Sequence, residues 1–300
     1  MQDFFQHLLN GFSLGSIYAL IAIGYTMVYG ILQMINFAHA DIYMVGGFAA
    51  YYVNRCLSLE NSPGFISFSI ALLASMVVCA SLAVIIERLA YRPLRKAPRL
   101  NVLITAIGVS LLLQYSGQVI FGADPKVFPV LIEDSVLVSF GEVSLRGLDV
   151  VVLLVTLIAM FILNFIIFKT KTGRAMRAVS QNSMVATMMG ININRIITIT
   201  FILGSALAGI GSVLVGLKYP RIEPFMGTMI GIKAFVAAVL GGIGHLPGAI
   251  VGGLLMGLSE ALVVGYLSST YRDALAFGIL ILILLFKPSG LFGKSSTEKV

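Results

Sequence analysis

Four ionisable side chains stand inside runs that are otherwise apolar: His39, Asp41, Lys233 and Glu260. A charge carried into hydrocarbon is costly, so each is a candidate for substrate passage, ion handling or internal pairing. His39 and Asp41 close the string Asn36-Phe37-Ala38-His39-Ala40-Asp41. Two readings are open for them. Either they cap a helix that starts near Ile42 at an aqueous boundary, or they line a pathway or couple its conformations. Lys233 lies just inside one end of its run and Glu260 near the outer end of the next. Antiparallel packing places them at similar depth, where a structural ion pair offsets two desolvation costs, and a role in substrate passage is the alternative.

Catalytic chemistry finds little support. The chain has no His-Glu-x-x-His string, no Gly-x-Ser-x-Gly string in suitable surroundings and no carboxylate cluster. Gly293-Lys294-Ser295 lacks the glycine that a phosphate-binding loop needs five residues earlier, where Pro288 stands, and no strand precedes it. The chain is therefore read as a non-enzyme that does not hydrolyse ATP by itself. Cys56 and Cys79 are too few for a disulfide framework or a Cys-x-x-Cys metal motif.

The elements that hold these residues belong to a membrane protein. Of 300 residues, 58% are hydrophobic and 11% charged, against about 45–50% and about 25% in soluble domains, and the mean hydropathy is +0.99. These values exclude a cytosolic enzyme, a secreted disulfide scaffold, a disordered regulator and a nucleic-acid-binding domain. A membrane-crossing helix needs about 20 mostly apolar residues. Runs at 9–31, 66–88, 101–121, 150–168 and 195–217 satisfy this. The run 36–54 opens on the polar string, 230–266 is split at Gly244-His245-Leu246-Pro247-Gly248, and 272–286 is short. The expected fold is an all-α polytopic bundle of about eight spans (seven to nine) with broken or re-entrant segments, forming one transmembrane domain over 1–300. The loop 122–149 reads as a small β-hairpin.

Charge orients the bundle. Segments 88–99, 169–195 and 287–300 hold 13 of the 20 basic residues and one acid, Glu298, whereas loops 54–65, 122–149 and 218–230 hold five basic residues and seven acids. The first set is expected in the cytoplasm and the second outside. Its ends then lie on opposite sides and the number of crossings is odd, so either 230–244 crosses separately or one broken segment is re-entrant.

Glycine-interrupted, polar-marked segments occur once in each half, at 36–47 and 241–253, a pattern expected of repeat halves that flank a translocation path. Pathway candidates are Asn36, His39, Asp41, Gly241, Gly242, Gly244 and His245. In the cytoplasmic loop 169–195, the stretch 174–190 reads as one amphipathic helix. Met176, Val179, Val185, Met188 and Met189 lie on one side, Arg174, Arg177, Gln181 and Asn182 lie elsewhere, and Gly190 is the stop. Its uses are an interfacial anchor or a docking surface, with Met184, Ala186 and Met188 at the contact.

Several motifs in order resemble a known family: Ser13-Leu-Gly-Ser-Ile-Tyr-Ala-Leu20, Gly24-Tyr-Thr-Met-Val-Tyr-Gly30, Asn36-Phe-Ala-His39 with Asp41, Gly241-Gly-Ile-Gly244 with Leu246-Pro-Gly248, and Tyr271-Arg-Asp-Ala-Leu-Ala-Phe277 with Lys287-Pro-Ser-Gly-Leu291. End to end, the chain is similar to the Liv-type permeases of bacterial branched-chain amino-acid ABC importers, and to the LivH subunit in particular. The resemblance implies an inner-membrane permease for leucine, isoleucine and valine with no cofactor of its own. It implies a second, homologous permease, two cytoplasmic subunits that bind the ATP, and a periplasmic binding protein. It also implies that Gly173-Arg-Ala-Met-Arg-Ala-Val179, Gln181-Asn182 and Met189-Gly190-Ile191 form the ATPase-coupling loop. Met184 and Thr187 stand where charged residues are usual there, Ala40 replaces a common glycine and His245 a small polar residue. Alternative expectations are a permease for urea, short amides or another small polar nutrient, or a stand-alone secondary transporter.

Overall fold

The computed structural model describes residues 2–140 and 143–293. Its helices are α1 (Gln2–Leu32), α2 (His39–Cys56), α3 (Phe65–Ile86), α4 (Arg99–Phe121), α5 (Gly147–Lys169), α6 (Lys171–Gln181), α7 (Ser183–Met188), α8 (Ile193–Lys218), α9 (Met226–Gly241), α10 (Leu246–Tyr266) and α11 (Arg272–Phe286). The strands are β1 (Lys126–Val127), β2 (Val136–Phe140), β3 (Val143–Arg146) and β4 (Arg221–Ile222).

Seven helices, α1, α3, α4, α5, α8, α10 and α11, are long and apolar enough to cross a membrane. Two shorter ones, α2 and α9, follow non-helical stretches at 33–38 and 219–225. With them the bundle has nine such helices among the described residues. The run 230–266 is two helices joined by a tight turn at Gly242–His245. Gly242 (φ +100°) and Gly244 (φ +93°) make that turn in a backbone region that side chains disfavour.

The packing is reciprocal. Antiparallel neighbours α1 and α8 cross at the centre, where Gly24 meets Gly204. Helix α10 lies along α1, and α3 lies along α8. Helix α9 packs on α10 and α1, and α2 packs on α3 and α8. Exchanging the triplet α1–α2–α3 for α8–α9–α10 therefore reproduces the contacts with direction reversed, which is an inverted repeat. Small residues permit it, because van der Waals contact rather than hydrophobic expulsion drives association in lipid. At Gly257 an added Cβ would lie 2.2 Å from the Gly15 nitrogen.

On the acidic face, β2 and β3 form the expected antiparallel hairpin, with Phe140 opposite Val143; its turn residues Gly141 and Glu142 lie outside the described residues. Strands β1 and β4 join the segment after α4 to the segment after α8. On the basic face, the stretch expected as a single helix over 174–190 is two helices. Asn182 breaks it, because its extended backbone ends α6 while its side chain accepts hydrogen bonds from the Met184 and Val185 amides to start α7. The basic tail residues Lys294 and Lys299, with Glu298, lie outside the described residues.

Candidate functional site

Asp41 is the third residue of α2, in its first turn, and its position is set by α4 and α9. The Ser110 hydroxyl and the Gln114 amide (2.9 Å) donate to its carboxylate, and Gln114 also reaches the Thr228 hydroxyl at 3.4 Å. Ser110 and Gln114 stand about 11 and 15 residues beyond the start of α4, roughly 17 and 23 Å along its axis. Asp41 therefore sits well inside a layer about 30 Å thick. The helix begins at His39, not near Ile42. Its N-cap is Ala38, with no side-chain cap bond, so neither Asn36 nor Asp41 performs the capping that the sequence allowed.

Around Asp41 the other polar groups of the string, Asn36 and His39, are buried. His39 is buried against the bare backbone of Gly24 and meets the Tyr25 ring edge-on at 4.8 Å. Neither of its ring nitrogens has a hydrogen-bond partner among the described residues. Asn36 accepts from the Tyr91 hydroxyl at 2.7 Å, fixing the stretch before α2 to the π-helical turn that extends α3.

Lys233 and Glu260 meet at 3.1 Å, both buried. They are part of a larger network. Glu260 also accepts from the Tyr18 hydroxyl at 2.9 Å and from Arg272, and Lys233 reaches Asp273 at 2.8 Å. One carboxylate thus joins α1, α9 and α11 to α10. A cavity of about 520 Å³ opens beside it, lined also by the pairs Lys218–Asp149 and Arg146–Asp134. No group of three or more His, Cys, Asp or Glu side chains able to hold a metal occurs among the described residues.

The glycine-rich turn is packed rather than open. Gly241 lies against the Gly248 carbonyl, and Gly242 against the backbone of Ser289 and Gly293. His245 caps α10, its Nδ1 accepting from the Gly248 amide at 3.1 Å, and its ring stacks on Phe292. Of this group, Gly244 and its neighbour Leu246 line a small recess with Thr26, Gly30, Arg177 and Ser180.

In the basic-face pair α6–α7 the apolar side chains divide. Met176, Val179 and Ala186 are buried in a cluster with Ile196 of α8. Met184, Val185, Met188 and Met189 are exposed, the three methionines by 70% or more. Ala186 therefore packs inward and is not at the contact surface that the sequence suggested. Arg174, Arg177, Gln181 and Asn182 are exposed; the Arg177 guanidinium lies 5.2 Å from the Phe168 ring centre. Gly190, at φ +81°, ends the pair.

Sequence reasoning missed Ser110 and Gln114. Their signal was readable: with Gln118 they recur every four residues inside an apolar span, which sets three polar side chains on one helix face. Arg272, Asp273 and Tyr18 were missed as partners of Glu260, because their separation in sequence carries no pairing information.

The sequence profile described as "branched-chain amino acid transport system / permease component" matches residues 7–284. The high-affinity branched-chain amino acid transport system permease protein BraD of Pseudomonas aeruginosa is 44% identical, over 99% of this chain and 98% of its own. LivH of the corresponding system in Escherichia coli is 42% identical over the same shares. A probable branched-chain amino acid transport permease protein LivH of Methanocaldococcus jannaschii is 29% identical over 91% and 88%.

Proposed function

The chain belongs to the branched-chain amino acid transport system permease family, and from that premise we propose that it is the membrane-spanning subunit of an ATP-driven importer for leucine, isoleucine and valine in the bacterial plasma membrane. The observation that carries this reading is identity above 40% to two such permeases along essentially the whole chain. A nine-helix bundle built on an inverted repeat is an architecture suited to alternating access.

In this reading the complete transporter contains a second, related permease, two ATP-binding subunits on the basic face and a substrate-binding protein on the acidic face. ATP is bound and hydrolysed by the partner subunits, so the work crosses a protein interface. The pair α6–α7 receives it. Its buried residues grip α8, and its exposed Met184, Val185, Met188 and Met189 present an apolar contact with Arg174, Arg177, Gln181 and Asn182 at the rim. Methionine suits such a surface because its unbranched side chain adapts to a moving partner. The other basic cytoplasmic segment, 88–99, folds instead into a π-helical turn at Glu87–Tyr91 and a 3-10 turn at Pro93–Lys96, with Glu87 held by Arg95 and Thr198.

The test is uptake of labelled leucine by proteoliposomes that hold the full transporter and its binding protein. We expect uptake that requires ATP. Met184→Glu with Met188→Glu should abolish copurification of the ATP-binding subunits, or uncouple hydrolysis from uptake, while membrane insertion persists. Uptake without ATP in the wild type, or full coupling in the double variant, would overturn the respective assignment.

A further inference from the structure

Four carboxylates are buried in the described bundle: Asp41, Glu87, Asp149 and Glu260. Three of them have a cation of their own. Glu87 has Arg95, Asp149 has Lys218 at 2.7 Å, and Glu260 has Lys233 and Arg272. Asp41, 1% exposed, has none among the described residues; only neutral donors, Ser110 and Gln114, face it. Hydrogen bonds from neutral groups orient a carboxylate without cancelling its charge, and in a membrane a charge of this kind is retained for what it binds.

We propose that Asp41, with Ser110, Gln114 and Thr228, is the mid-membrane subsite for the ammonium group of the amino acid in transit, an inference that rests on the importer reading above. The chemistry fits. An ammonium group brings three donors and no acceptor. Asp41 offers carboxylate oxygen, the hydroxyls of Ser110 and Thr228 offer lone pairs, and Gln114 keeps its amide oxygen free because its nitrogen faces Asp41. The approach also fits. Ser110, Gln114 and Gln118 lie on one face of α4, all half-buried, so a polar ladder rises from Asp41 toward the acidic face. Finally, the subsite lies where the N-terminal parts of α2 and α9 meet, with Gly227 and Gly231 against Ala40. Both helices follow non-helical stretches, the segments that can change shape without breaking a helix. A permanent cation at this point would trap the charge; a passing one is held and released.

The experiment uses the complete transporter with its binding protein in proteoliposomes. Wild-type leucine uptake is measured first, and its absence would count against the importer reading rather than against the subsite. Asp41→Asn keeps the shape and the hydrogen-bond capacity. It should lower the uptake rate about ten- to a hundredfold, the size of one charge-assisted hydrogen bond, while assembly is intact and thermal stability is unchanged or raised. Asp41→Glu should restore part of the rate. An independent readout follows a thiol introduced by Gln118→Cys in a background lacking Cys56 and Cys79. A cationic methanethiosulfonate should modify it several-fold faster than an anionic one, and Asp41→Asn should erase that preference. Three outcomes overturn the proposal: wild-type uptake in Asp41→Asn, a loss of uptake that follows a loss of assembly, or a thiol at 118 that is unreactive or indifferent to reagent charge.

Discussion

Asp41 and Glu260 are both carboxylates buried in the same bundle, and their surroundings differ in kind. Glu260 is enclosed by Lys233, Arg272 and the Tyr18 hydroxyl, beside a cavity that admits water from the acidic face. Asp41 is enclosed by a serine and a glutamine deep in the layer, where solvent offers no compensation. The first arrangement neutralises charge inside the chain and ties four helices together. The second fixes the geometry of a charge and leaves its neutralisation to something else. Burial alone therefore does not separate a structural acid from a functional one; the charge balance of its neighbours does.

The comparison breaks most visibly at Glu260. Glu260→Gln leaves Lys233 and Arg272 buried or half-buried with only the half-exposed Asp273 between them. Removing one partner from a buried ion pair costs about 3–5 kcal/mol. We expect a loss of that size in detergent-induced unfolding of the purified subunit. Combining it with Lys233→Met should recover a substantial part, because the remaining Arg272 and Asp273 are close to the surface. A double-mutant cycle with no coupling would show that the network does not act as one unit.

Asp149 should fall between the extremes. Lys218 stays bonded to the Ser13 hydroxyl at 2.7 Å when the carboxylate is lost, and it faces the same water-accessible cavity. Asp149→Asn should cost about 1–3 kcal/mol, as for one hydrogen-bonded charge left under-satisfied. A cost equal to that of Glu260→Gln would mean that access to water does not moderate these pairs. Glu87 and Arg95 at the basic face are a related case, where burial pulls the Arg95 guanidinium below its ordinary range against the opposing effect of the Glu87 charge.

Much of this organisation was legible from residue types. Lys233 and Glu260 interrupt apolar runs, so their meeting needs only the assumption of antiparallel neighbours. The tight turn between α9 and α10 was marked by Gly244, His245, Pro247 and Gly248, but the segment expected to match 36–47 was misplaced: 241–253 is that turn and the start of α10, and the counterpart of the stretch before α2 is 219–225, before α9. What sequence could not give was direction. The sequence set Met176 and Val179 on one side with Val185, Met188 and Met189, but Asn182 breaks the helix, so Met176 and Val179 turn with Ala186 toward Ile196 of α8 while Val185, Met188 and Met189 turn outward. The polar string at 36–41 has the composition of a helix cap. Tertiary packing instead sends Asn36 to Tyr91 and Asp41 to α4, leaving α2 uncapped. The ladder on α4 was overlooked because serine and glutamine are individually cheap in a span; only their common face makes them a feature.

The smallest expected quantity, a coupling energy, sharpens the comparison most, because it reports the charge on Asp41 directly. Ser110→Ala removes one hydroxyl donor and little volume. If Asp41 is ionised, that donor serves a charge, and losing it should cost about 1.5–3 kcal/mol of unfolding free energy, the range for hydrogen bonds to charged groups. In the Asp41→Asn background the same hydroxyl serves a neutral amide, and the cost should fall to about 0.5–1.5 kcal/mol. The difference between these two costs is the coupling energy, and it isolates the charge from the shape of the side chain, since aspartate and asparagine are nearly isosteric. A coupling of about 1 kcal/mol or more places an uncompensated negative charge in the middle of the bundle, in contrast to the internally balanced Glu260. A coupling indistinguishable from zero would mean that Asp41 carries a proton and, like Glu260, presents no net charge to the membrane interior; the contrast between the two sites, and the ammonium subsite with it, would then be lost.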